Sequence, residues 1–501
     1  MSNAELAGAT SVRTERVRIV TAASLFDGHD AAINIMRRIL QAQGAEVIHL
    51  GHDRSVDEIV DAAVQEDAHA VAVSSYQGGH MEFFRYLVER LRERGAPNIR
   101  VFGGGGGTIT PDEAEELRGA GVARIFGVDD GRAMGLEGMI RSLIDECAVS
   151  TLDATSDPLD DLSPDAPRLV AQLVTRLELA GVDADPAIQE LRARLDERAA
   201  AAKRVPVVGF TGTGGAGKSS VIDEFVRRYR IAHPGHSVAL LLVDPTRRRS
   251  GGALLGDRIR MNAIHAPRVF ARSLATRQAH LALSSAVGDA VRVFRAAEYD
   301  LVIVETAGIG QSDSEIVDLV DVSVYVMTPE YGAPSQLEKI DMLDLAEIVV
   351  LNKFDRQGAL DALRDVRKQW KRNRRQFDLA EADVPVYPTV ARQWDDPRTN
   401  VLARVLIDRV AAVRGLPAAT VATPPAAPVA ESFGGLIPPK RERYLAEIAE
   451  TLRSWRADTG AQAERAARAG ALVRVLDEFG DTPPKGLATF GDAEAAADPT
   501  V

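Results

Sequence analysis

Residues Leu25–Asp53 read LFDGHDAAINIMRRILQAQGAEVIHLGHD, and this stretch decides the fold of the first part of the chain. The β-branched run VRIVTAAS precedes it, and the similar run AEVIHLG lies near its end. Between the two runs, apolar residues recur at helical spacing, as at Ile33, Met36 and Leu40. The stretch therefore predicts a helix between two strands, with the polar turn DGH directly before the helix.

The same alternation continues from Val17 to about Cys147. Short β-branched runs cover residues 17–24, 45–51, 69–75, 99–104 and 122–127. Five βα repeats of this size predict a parallel, doubly wound α/β sheet of the flavodoxin-like, Rossmann-type class. In such sheets, ligands bind beyond the carboxyl ends of the strands. The segments DGHD, SSYQGGH and GGGGG each follow a predicted strand, so we expect them at that edge.

Length and composition exclude several classes of protein. The 501 residues are too many for one hydrophobic core, while 46% hydrophobic and 26% charged residues are typical of soluble globular proteins. A net charge of −12 argues against a mainly electrostatic nucleic-acid binder. The single cysteine, Cys147, excludes an internal disulfide. Because we see no apolar run of spanning length and no secretion signal, we expect a soluble cytoplasmic protein without a membrane partner.

The chain is predicted to contain several segments. Residues 15–148 form the first α/β domain, and residues 149–204, where the alternation stops, form a helical spacer. A second α/β domain is expected at 205–416, with strands in VPVVGF, SVALLLVD, YDLVIVET, DVSVYVM, AEIVVLN and VPVYPT. The rest is predicted as a Pro/Ala linker at 417–436, a docking segment of one or two helices at 437–480 and a disordered tail at 481–501.

The second domain opens with GFTGTGGAGKSS, which holds the complete P-loop pattern Gly212-x4-Gly217-Lys218-Ser219. Glycines let successive backbone N–H groups surround phosphates at a helix N-terminus. Lys218 would reach the terminal phosphates, and the Ser219 hydroxyl would bind Mg²⁺. The alternative is a glycine-rich turn without a ligand. The pattern predicts a nucleotide site formed by Gly212, Gly214, Gly215, Ala216, Gly217, Lys218, Ser219 and Ser220.

Two later strand ends specify the nucleotide. Glu305 ends an apolar strand and Gly308 follows it, as expected for a magnesium contact and a backbone amide facing the terminal phosphate. The next motif supplies Asn352, Lys353 and Asp355. A carboxylate such as Asp355 accepts hydrogen bonds from N1–H and the exocyclic amine of guanine, whereas adenine offers neither donor at that edge. The set predicts GTP rather than ATP.

The turn after the first strand carries Asp27 and His29. A neutral imidazole nitrogen suits cobalt, and a carboxylate bonded to the other ring nitrogen fixes the tautomer and raises basicity. The alternative is a solvated turn that caps the helix. Ser74 and Tyr76 follow the third strand, and five glycines end the fourth. Glycines leave room for a large flat ligand, and the Ser74 hydroxyl would meet a ring nitrogen deep in that groove.

These segments resemble the base-off, His-on cobalamin-binding domain of acyl-CoA mutases, whose pattern is Asp-x-His-x-x-Gly, then Ser-x-Leu, then Gly-Gly. This chain has Ala32 and Tyr76 where the pattern has Gly and Leu. The resemblance implies that His29 binds cobalt below a corrin ring. Either Gly103-Gly104 or Gly106-Gly107 supplies the glycine pair. The other implied cofactor contacts are Asp27, Ser74, Tyr76, Gly78, Gly79 and His80.

The second domain resembles the P-loop GTPase chaperones of cobalamin-dependent acyl-CoA mutases. The matching segments are the Asp-Pro at 244–245, GGALLGDRIRM at 251–261 and ETAGIGQS at 305–312. The resemblance implies that Asp244, Asp257 and Glu305 surround the magnesium ion and the attacking water, with Lys218 as a further catalytic residue. PSQLEKIDMLDLAE resembles the extra switch segment of that family, and YPTVAR lies in the place of its base-contacting loop.

The order of the domains resembles the N-terminal half of the fused isobutyryl-CoA mutases, over roughly residues 15–475. The resemblance implies adenosylcobalamin, GTP or GDP, and Mg²⁺ as ligands, and a radical rearrangement of an acyl-CoA. We expect the substrate-binding barrel on a separate large subunit, with a truncated sequence as the alternative. Isobutyryl-, methylmalonyl- and hydroxyisobutyryl-type substrates stay open, as does a homodimer. The alternative functions are a stand-alone cobalamin-responsive GTPase and a cobalamin carrier or chaperone without mutase activity.

Overall fold

The computed structural model describes residues 16–152, 159–180, 185–245, 253–255, 257–276, 285–306, 316–331, 337–338, 340–416 and 444–479. The chain divides into two compact units, Met1–Val429 and Ala430–Val501. The first unit contains two α/β sheets with their helices, and a long helix is the described part of the second unit.

The first sheet is built from strands that alternate with helices along the chain. Its elements are β1 (Arg18–Ser24), α1 (Asp30–Ala42), β2 (Glu46–Arg54), α2 (Val56–Gln65), β3 (Ala70–Ser74), α3 (His80–Glu93), β4 (Arg100–Gly104), α4 (Pro111–Ala120), β5 (Arg124–Phe126) and α5 (Val128–Glu146). These strands pair in parallel in the order β5-β4-β3-β1-β2. This is the flavodoxin-like strand order, so the predicted α/β fold class is confirmed.

Local sequence signals explain where these helices begin and how the sheet is covered. Ser55 and Glu58 form a reciprocal capping box at the start of α2. Thr110 and Glu113 do the same for α4, where Pro111 occupies the first helical position. One apolar layer packs under α2, α3 and α4, and another packs under α1 and α5. The carboxyl ends of the strands stay uncovered by these layers, and the loops at that edge carry the predicted cofactor residues.

The second sheet follows two further helices. Its region contains α6 (Pro167–Ala180), α7 (Pro186–Ala201), β6 (Val207–Gly212), α8 (Lys218–Ala232), β7 (Val238–Pro245), β8 (Ala253–Leu255), β9 (Val269–Thr276), α9 (Ser285–Ala296), β10 (Leu301–Glu305), β11 (Val322–Met327), α10 (Met342–Leu345), β12 (Ile348–Leu351), α11 (Ala359–Arg374), β13 (Val386–Pro388) and α12 (Pro397–Val413). Seven of these strands form a parallel sheet in the order β13-β12-β11-β6-β10-β7-β9.

The six predicted strands of this sheet are present, but β9 was not predicted. Its sequence, VFARSLAT, is interrupted by Arg272 and Ser273, both of which are buried. Burial of a charged residue within a strand requires a partner, and Glu178 on α6 supplies a carboxylate 3.3 Å from Arg272. Arg272 and Ser273 break the apolar pattern of the strand. Because the partner of Arg272 is far away in sequence, a local pattern could not indicate that these polar residues are buried.

Strand β8 joins the first sheet and not the second. Its residues Ala253–Leu255 pair in parallel with Glu46–Ile48 of β2, which extends the order to β5-β4-β3-β1-β2-β8. The segment that links β7 to β9 therefore contributes an edge strand to the other α/β domain. Because the pairing uses backbone hydrogen bonds, it joins the two sheets by more than side-chain packing.

Buried ionic contacts reinforce this junction. The Glu66 carboxylate, which follows α2, accepts hydrogen bonds from the backbone N–H and hydroxyl of Ser273 at 3.0 and 2.9 Å. Arg258 lies 3.2 Å from the same carboxylate, with side-chain exposures of 1% for Arg258 and 0% for Glu66. The Gln65 amide donates to Val269 O at 3.1 Å and accepts from Ala271 N–H at 3.2 Å. The Gln65 amide thereby makes the two contacts with β9 that a neighbouring strand would make.

The segment predicted as a spacer packs against the second sheet. Helices α6 and α7 share one hydrophobic core with α9 and with the near faces of β6, β7 and β10, to which Leu177 and Leu195 contribute fully buried side chains. The proposed boundaries 149–204 and 205–416 stay predictions. In the structure, the helical part of 149–204 is one layer of the second α/β unit.

The second compact unit contains α13 (Tyr444–Phe479), a helix of 36 residues. The sequence predicted one or two helices for residues 437–480, and the described part of this segment is a single helix. The predicted linker at 417–436 and the tail at 481–501 lie outside the described residues. Among the helices that are described, none combines the length and apolar character needed to cross a membrane.

Removal of Arg258 should destabilise the first compact unit. Arg258→Ala leaves Glu66 buried without its guanidinium partner, and breaking a buried pair in this way costs about 3–5 kcal/mol. Urea unfolding followed by circular dichroism should show an earlier midpoint than for the unaltered protein. The control is Arg132→Ala, whose pair with Asp129 is 77% and 91% exposed and should barely matter. Equal midpoints for both variants would contradict a structural role for the Glu66–Arg258 pair.

Candidate functional sites

The turn between β1 and α1 presents His29 on the carboxyl edge of the first sheet. Oδ1 of Asp27 accepts hydrogen bonds from the backbone N–H of His29 at 2.9 Å and from its Nδ1 at 2.8 Å. Oδ2 of Asp27 accepts from Tyr76 N–H at 2.6 Å. The Asp27 side chain is fully buried, whereas that of His29 is 74% exposed. Donation from Nδ1 leaves Nε2 with the lone pair that a metal ion takes.

The charge of Asp27 is set by these contacts. Burial alone would raise its pKa, but hydrogen bonds from the backbone of Tyr76 and His29 and from the imidazole lower the pKa of Asp27 below its ordinary value. The carboxylate therefore stays ionised at neutral pH and holds both the turn and the imidazole. Tyr76 stands where the family pattern has Leu. Its ring lies 5.6 Å from that of His29.

A largely apolar cavity of about 250 Å³ lies beside this turn. It extends between α1 and α5 and over the ends of β3 and β4, and residues that line it include Ile33, Met36, Phe102, Leu136 and Met139. Ser74 also lines the cavity, and its buried hydroxyl has no hydrogen-bond partner among the described residues. A buried hydroxyl without a partner is costly, so this atom is suited to a ligand that carries a polar atom.

The glycines after β4 shape the wall of this cavity. Gly103, Gly104, Gly105 and Gly106 all line it, whereas Gly107, Gly78 and Gly79 do not. A Cβ atom on Gly105 would lie 2.0 Å from Ser75 O, and one on Gly103 would lie 2.5 Å from Phe84 and Ile125. The structure thus places both glycines of the first candidate pair at the cavity. From the second pair it places only Gly106 there, and Gly105 is a lining residue that the sequence did not single out.

The structure turns His80 away from this cavity. The imidazole is buried, with Nδ1 3.2 Å from Gln77 O and Nε2 3.3 Å from a carboxylate oxygen of Glu113 on α4. His80 is not among the cavity-lining residues. Its contacts tie α3 to α4, because a ring at the first position of a helix can reach the neighbouring helix. His49 on β2 is buried as well, and burial together with Arg37 lowers its pKa to about 4.

The P-loop between β6 and α8 has the backbone conformation that its glycines permit. Gly212, Gly215 and Gly217 have φ values of 141°, 76° and 89°. A Cβ atom on Gly212 would lie 1.9 Å from Val326 O, and one on Gly217 would lie 2.5 Å from the Asn352 amide. These positions need glycine both for conformation and for space. The loop ends where α8 begins at Lys218, so the helix N-terminus points toward the loop.

The side of the site at which magnesium is predicted is formed by the ends of α8, β7 and β10. Ser219 Oγ donates to Glu305 Oε1 at 2.9 Å, which joins two of the predicted magnesium residues directly. Lys218 Nζ donates to Gly212 O at 3.1 Å, back across the loop. Asp244 is buried near the end of β7, beside β10 in the sheet. The Asp257 side chain and Gly308 lie outside the described part of the structure.

The base side of the site is formed by Asn352 and the loop after β13. Asn352 Nδ2 donates to Ala216 O at 2.8 Å, and its Oδ1 accepts from Thr389 Oγ1 and Ala391 N–H, each at 3.1 Å. Asn352 therefore fastens the P-loop to the segment YPTVAR. Lys353 Nζ donates to Gly215 O at 2.6 Å. The structure thus brings together the P-loop and two motifs more than a hundred residues later in the chain.

Asp355 has a partner that sequence reasoning missed. Arg392 donates from its guanidinium to Asp355 Oδ2 at 2.6 Å, with the Arg392 side chain 78% exposed. An exposed guanidinium at this carboxylate is easily displaced, because such surface pairs contribute about 1 kcal/mol or less. Thr389 and Arg392 are therefore additional residues of the candidate base site. The available signal was that both residues belong to YPTVAR, the segment in the place of the base-contacting loop.

The chain thus combines an α/β domain that has a candidate cofactor site with a P-loop domain. Comparison with known families identifies both domains more closely. Residues 17–136 match the profile of the B12 binding domain, and residues 170–401 match that of the methylmalonyl-CoA mutase-associated GTPase MeaB. The chain thus contains a B12-binding domain followed by a MeaB-type GTPase domain. The second match begins within α6, in agreement with the packing of that helix on the second sheet.

The chain is homologous to proteins named fused isobutyryl-CoA mutase. It is 53% identical to the one from Geobacillus kaustophilus, over 90% of this chain and 42% of that protein. It is likewise 53% identical to the one from Cupriavidus metallidurans, over 90% of this chain and 41% of the other. The relative from Nocardia farcinica is 51% identical, over 95% of this chain and 44% of that protein. This chain spans about two fifths of the length of these relatives, which confirms the predicted resemblance to part of the fused proteins.

Asp355→Asn should exchange the base preference of the nucleotide site. The amide would accept from N1–H but repel the guanine amine, and it would match the C2 carbonyl of xanthine. We expect GTP affinity to fall about 10- to 100-fold, the loss of one charge-assisted hydrogen bond, and XTP affinity to rise. Fluorescent-nucleotide titrations would measure both. Asp361→Asn, at an exposed pair with Arg364 on α11, is the control. An unchanged preference for GTP would remove Asp355 from the base contact.

Proposed function

We propose that this chain binds adenosylcobalamin in its first domain and GTP in its second, and that GTP hydrolysis gates the loading and repair of the cofactor of an acyl-CoA mutase. The observation that carries the proposal is the exposed His29 imidazole, held by the buried Asp27 carboxylate. It lies beside a cavity with a buried serine hydroxyl that has no partner among the described residues, on the same chain as a complete P-loop site. An isolated GTPase would have no use for the first arrangement, and a simple cofactor carrier would have none for the second.

The residues of the first domain fit a cobalamin bound with its own base displaced. His29 would offer Nε2 to cobalt, with Asp27 holding the ring orientation and tautomer. The cavity would take the displaced nucleotide tail, with the Ser74 hydroxyl as a hydrogen-bond partner for a ring nitrogen. Gly103 to Gly106 would let that tail lie against backbone. When bound, adenosylcobalamin supplies a radical by homolysis of its cobalt–carbon bond. The contribution of these residues is to bind and orient it.

The second domain has the parts needed to hold GTP and hydrolyse it. Ser219, Glu305 and Asp244 would hold Mg²⁺, and Asp257 joins them on the family resemblance. Lys218 would exchange its contact with Gly212 O for the terminal phosphates. Such sites act by positioning and by stabilising charge on the transferred phosphoryl group. Hydrolysis would shift the switch segments between two states, and those states would control access to the cofactor.

The names of the relatives support a proposal for the reaction and the partner. Because those relatives are named isobutyryl-CoA mutases, we propose an acyl-CoA mutase of isobutyryl/n-butyryl type as the enzyme that this chain serves. The substrate would bind to a barrel on a separate large subunit or elsewhere on a longer polypeptide. We place the protein in the cytoplasm, and we regard a homodimer as a further prediction for measurement in solution.

His29→Ala should abolish the nitrogen hyperfine splitting in the EPR spectrum of bound cob(II)alamin. The splitting reports a nitrogen bonded to cobalt, and removal of the imidazole removes that nitrogen. GTP hydrolysis without cobalamin should stay unchanged, because His29 lies in the other domain. His52→Ala, an exposed histidine on β2, is the matched control and should retain the splitting. An unaltered spectrum for His29→Ala would exclude His29 as the cobalt ligand.

The protein, isolated from its native cells with the proteins bound to it, should isomerise isobutyryl-CoA when adenosylcobalamin is added. Gas chromatography of the released acids would measure n-butyrate, with methylmalonyl-CoA and 2-hydroxyisobutyryl-CoA as competing substrates. We expect His29→Ala to reduce product to background. Absence of isomerisation with all three substrates, together with GTP hydrolysis that responds to cobalamin, would instead identify a stand-alone cobalamin-responsive GTPase.

A further inference from the structure

The end of strand β2 lies between the GTPase domain and the turn that carries His29. The register of β1 against β2 shifts twice here, because Ala22 pairs with Gly51 and Ser24 pairs with Arg54. Each shift inserts residues into β2 that have no counterpart in β1. Such bulges bend a strand and redirect its side chains, and they are frequent beside functional sites. We call Gly51–Arg54 the β2 tail.

The GTPase domain contacts the β2 tail through Ile259. Ile259 belongs to the helical turn Asp257–Arg260 that follows β8. Gly51 has a φ of 84°, and a Cβ atom placed on it would lie 2.8 Å from Ile259 Cδ1. The isoleucine side chain therefore rests on the bare α-carbon of Gly51. Only glycine provides both this conformation and this space.

The other end of the β2 tail contacts the His29 turn. Asp53 Oδ1 accepts the backbone N–H of Phe26 at 2.7 Å. Phe26 directly precedes Asp27, the carboxylate that holds His29. Both Phe26 and Asp53 have left-handed backbone conformations, with φ values of 64° and 58°. This conformation is rare for a residue such as Phe and persists only where neighbouring contacts impose it. The Asp53 carboxylate is such a contact.

The contacting segment is also fastened on both sides. Strand β8 pairs with the beginning of β2, and Arg258 is bonded to Glu66 at the end of α2. Asp244 and Asp257, which the family resemblance places beside magnesium, bracket β8 in the sequence. A nucleotide-dependent shift of this segment would therefore reach the β2 tail directly. Within the tail, the three consecutive residues from Gly51 to Asp53 connect the Ile259 side chain to the Phe26 amide.

We propose that Asp53 is a positioning residue for His29, and that Ile259 of the GTPase domain sets the position of Asp53 through Gly51. The nucleotide state and the cobalt ligand are thereby coupled through the β2 tail. The inference rests on the proposed function, since it needs cobalamin at His29 and GTP at the P-loop. Coupling between two binding sites is reciprocal. The nucleotide and cobalamin therefore change each other's affinity by the same factor. Typical couplings are about 5- to 150-fold.

The test compares Asp53→Ala with Asp53→Asn in the full chain. Alanine removes the acceptor for Phe26 N–H, whereas asparagine retains Oδ1 and should rescue the function. The first readout is the adenosylcobalamin dissociation constant, measured by absorbance with GDP and with a non-hydrolysable GTP analogue. The second is the fraction of bound cob(II)alamin that shows nitrogen hyperfine splitting. For the unaltered protein and for Asp53→Asn, we expect dissociation constants that differ about fivefold or more between the nucleotides.

Asp53→Ala should bring the two dissociation constants together and lower the fraction with hyperfine splitting. GTP hydrolysis without cobalamin should not change, since Asp53 lies outside the nucleotide site. His52→Ala, an exposed neighbour, is the matched control and should behave as the unaltered protein. Ile259→Ala tests the other contact. It should remove the nucleotide dependence while the hyperfine splitting of bound cob(II)alamin remains, because Asp53 still holds the turn.

The outcomes separate this inference from the proposed function. If the unaltered protein shows no nitrogen hyperfine splitting, the proposed cobalamin site itself is wrong. If it shows the splitting but its dissociation constant is the same with both nucleotides, the coupling is overturned. If both properties are present and Asp53→Ala retains them, Asp53 is not a positioning residue and the β2 tail does not carry the coupling.

Discussion

The Glu66 carboxylate is the contact on which the arrangement of the two α/β domains depends. It lies at the end of α2 with no exposed surface and accepts hydrogen bonds from Ser273 of β9 and Arg258 after β8. Transfer of a carboxylate from water to such a site is costly, and only paired donors offset the cost. Burial lowers the pKa of Arg258, although the charge of Glu66 acts in the opposite direction. The ordinary pKa of a guanidinium is so high that Arg258 stays charged. The pair is therefore satisfied only when both domains are in place.

These directional contacts fix the relative orientation of the two domains as well as holding them together. An apolar interface of the same size would tolerate small rotations, whereas hydrogen bonds to one buried carboxylate have defined directions. The pairing of β8 with β2 adds a second directional contact, because a change of register by one residue would reverse the facing of its side chains. The domains thus share a strand and a charge cluster. The linking segment of the GTPase domain is therefore in direct contact with the first sheet.

The two candidate sites are built in different ways from this common frame. The nucleotide site relies on backbone conformation, since three glycines with positive φ shape the loop and Asn352 fastens it. The cofactor edge relies on one side chain, because the Asp27 carboxylate holds both the His29 ring and the amide of Tyr76. A backbone site needs a contiguous motif, and it is therefore visible in sequence. A site built on one carboxylate depends on neighbours from other strands.

Local patterns predicted much of this structure. The strand and helix alternation gave the flavodoxin-like order, and the P-loop and its later motifs converge as their spacing indicates. Predictions failed where a residue took its meaning from a distant partner. Strand β9 was missed because Arg272 interrupts it, and β8 was missed because its partner strand is in the other domain.

The amino-acid sequence by itself determined which segments become strands and helices and which loops carry ligand-binding residues. It could do so because hydrophobic periodicity, capping and glycine conformation act over a few neighbouring residues. Only the tertiary structure decided that β8 pairs with β2, that Glu66 meets Arg258 192 residues away, and that Asp53 holds the turn of His29. Those contacts join residues with no local relation, and their free energy appears only when burial removes water from both partners.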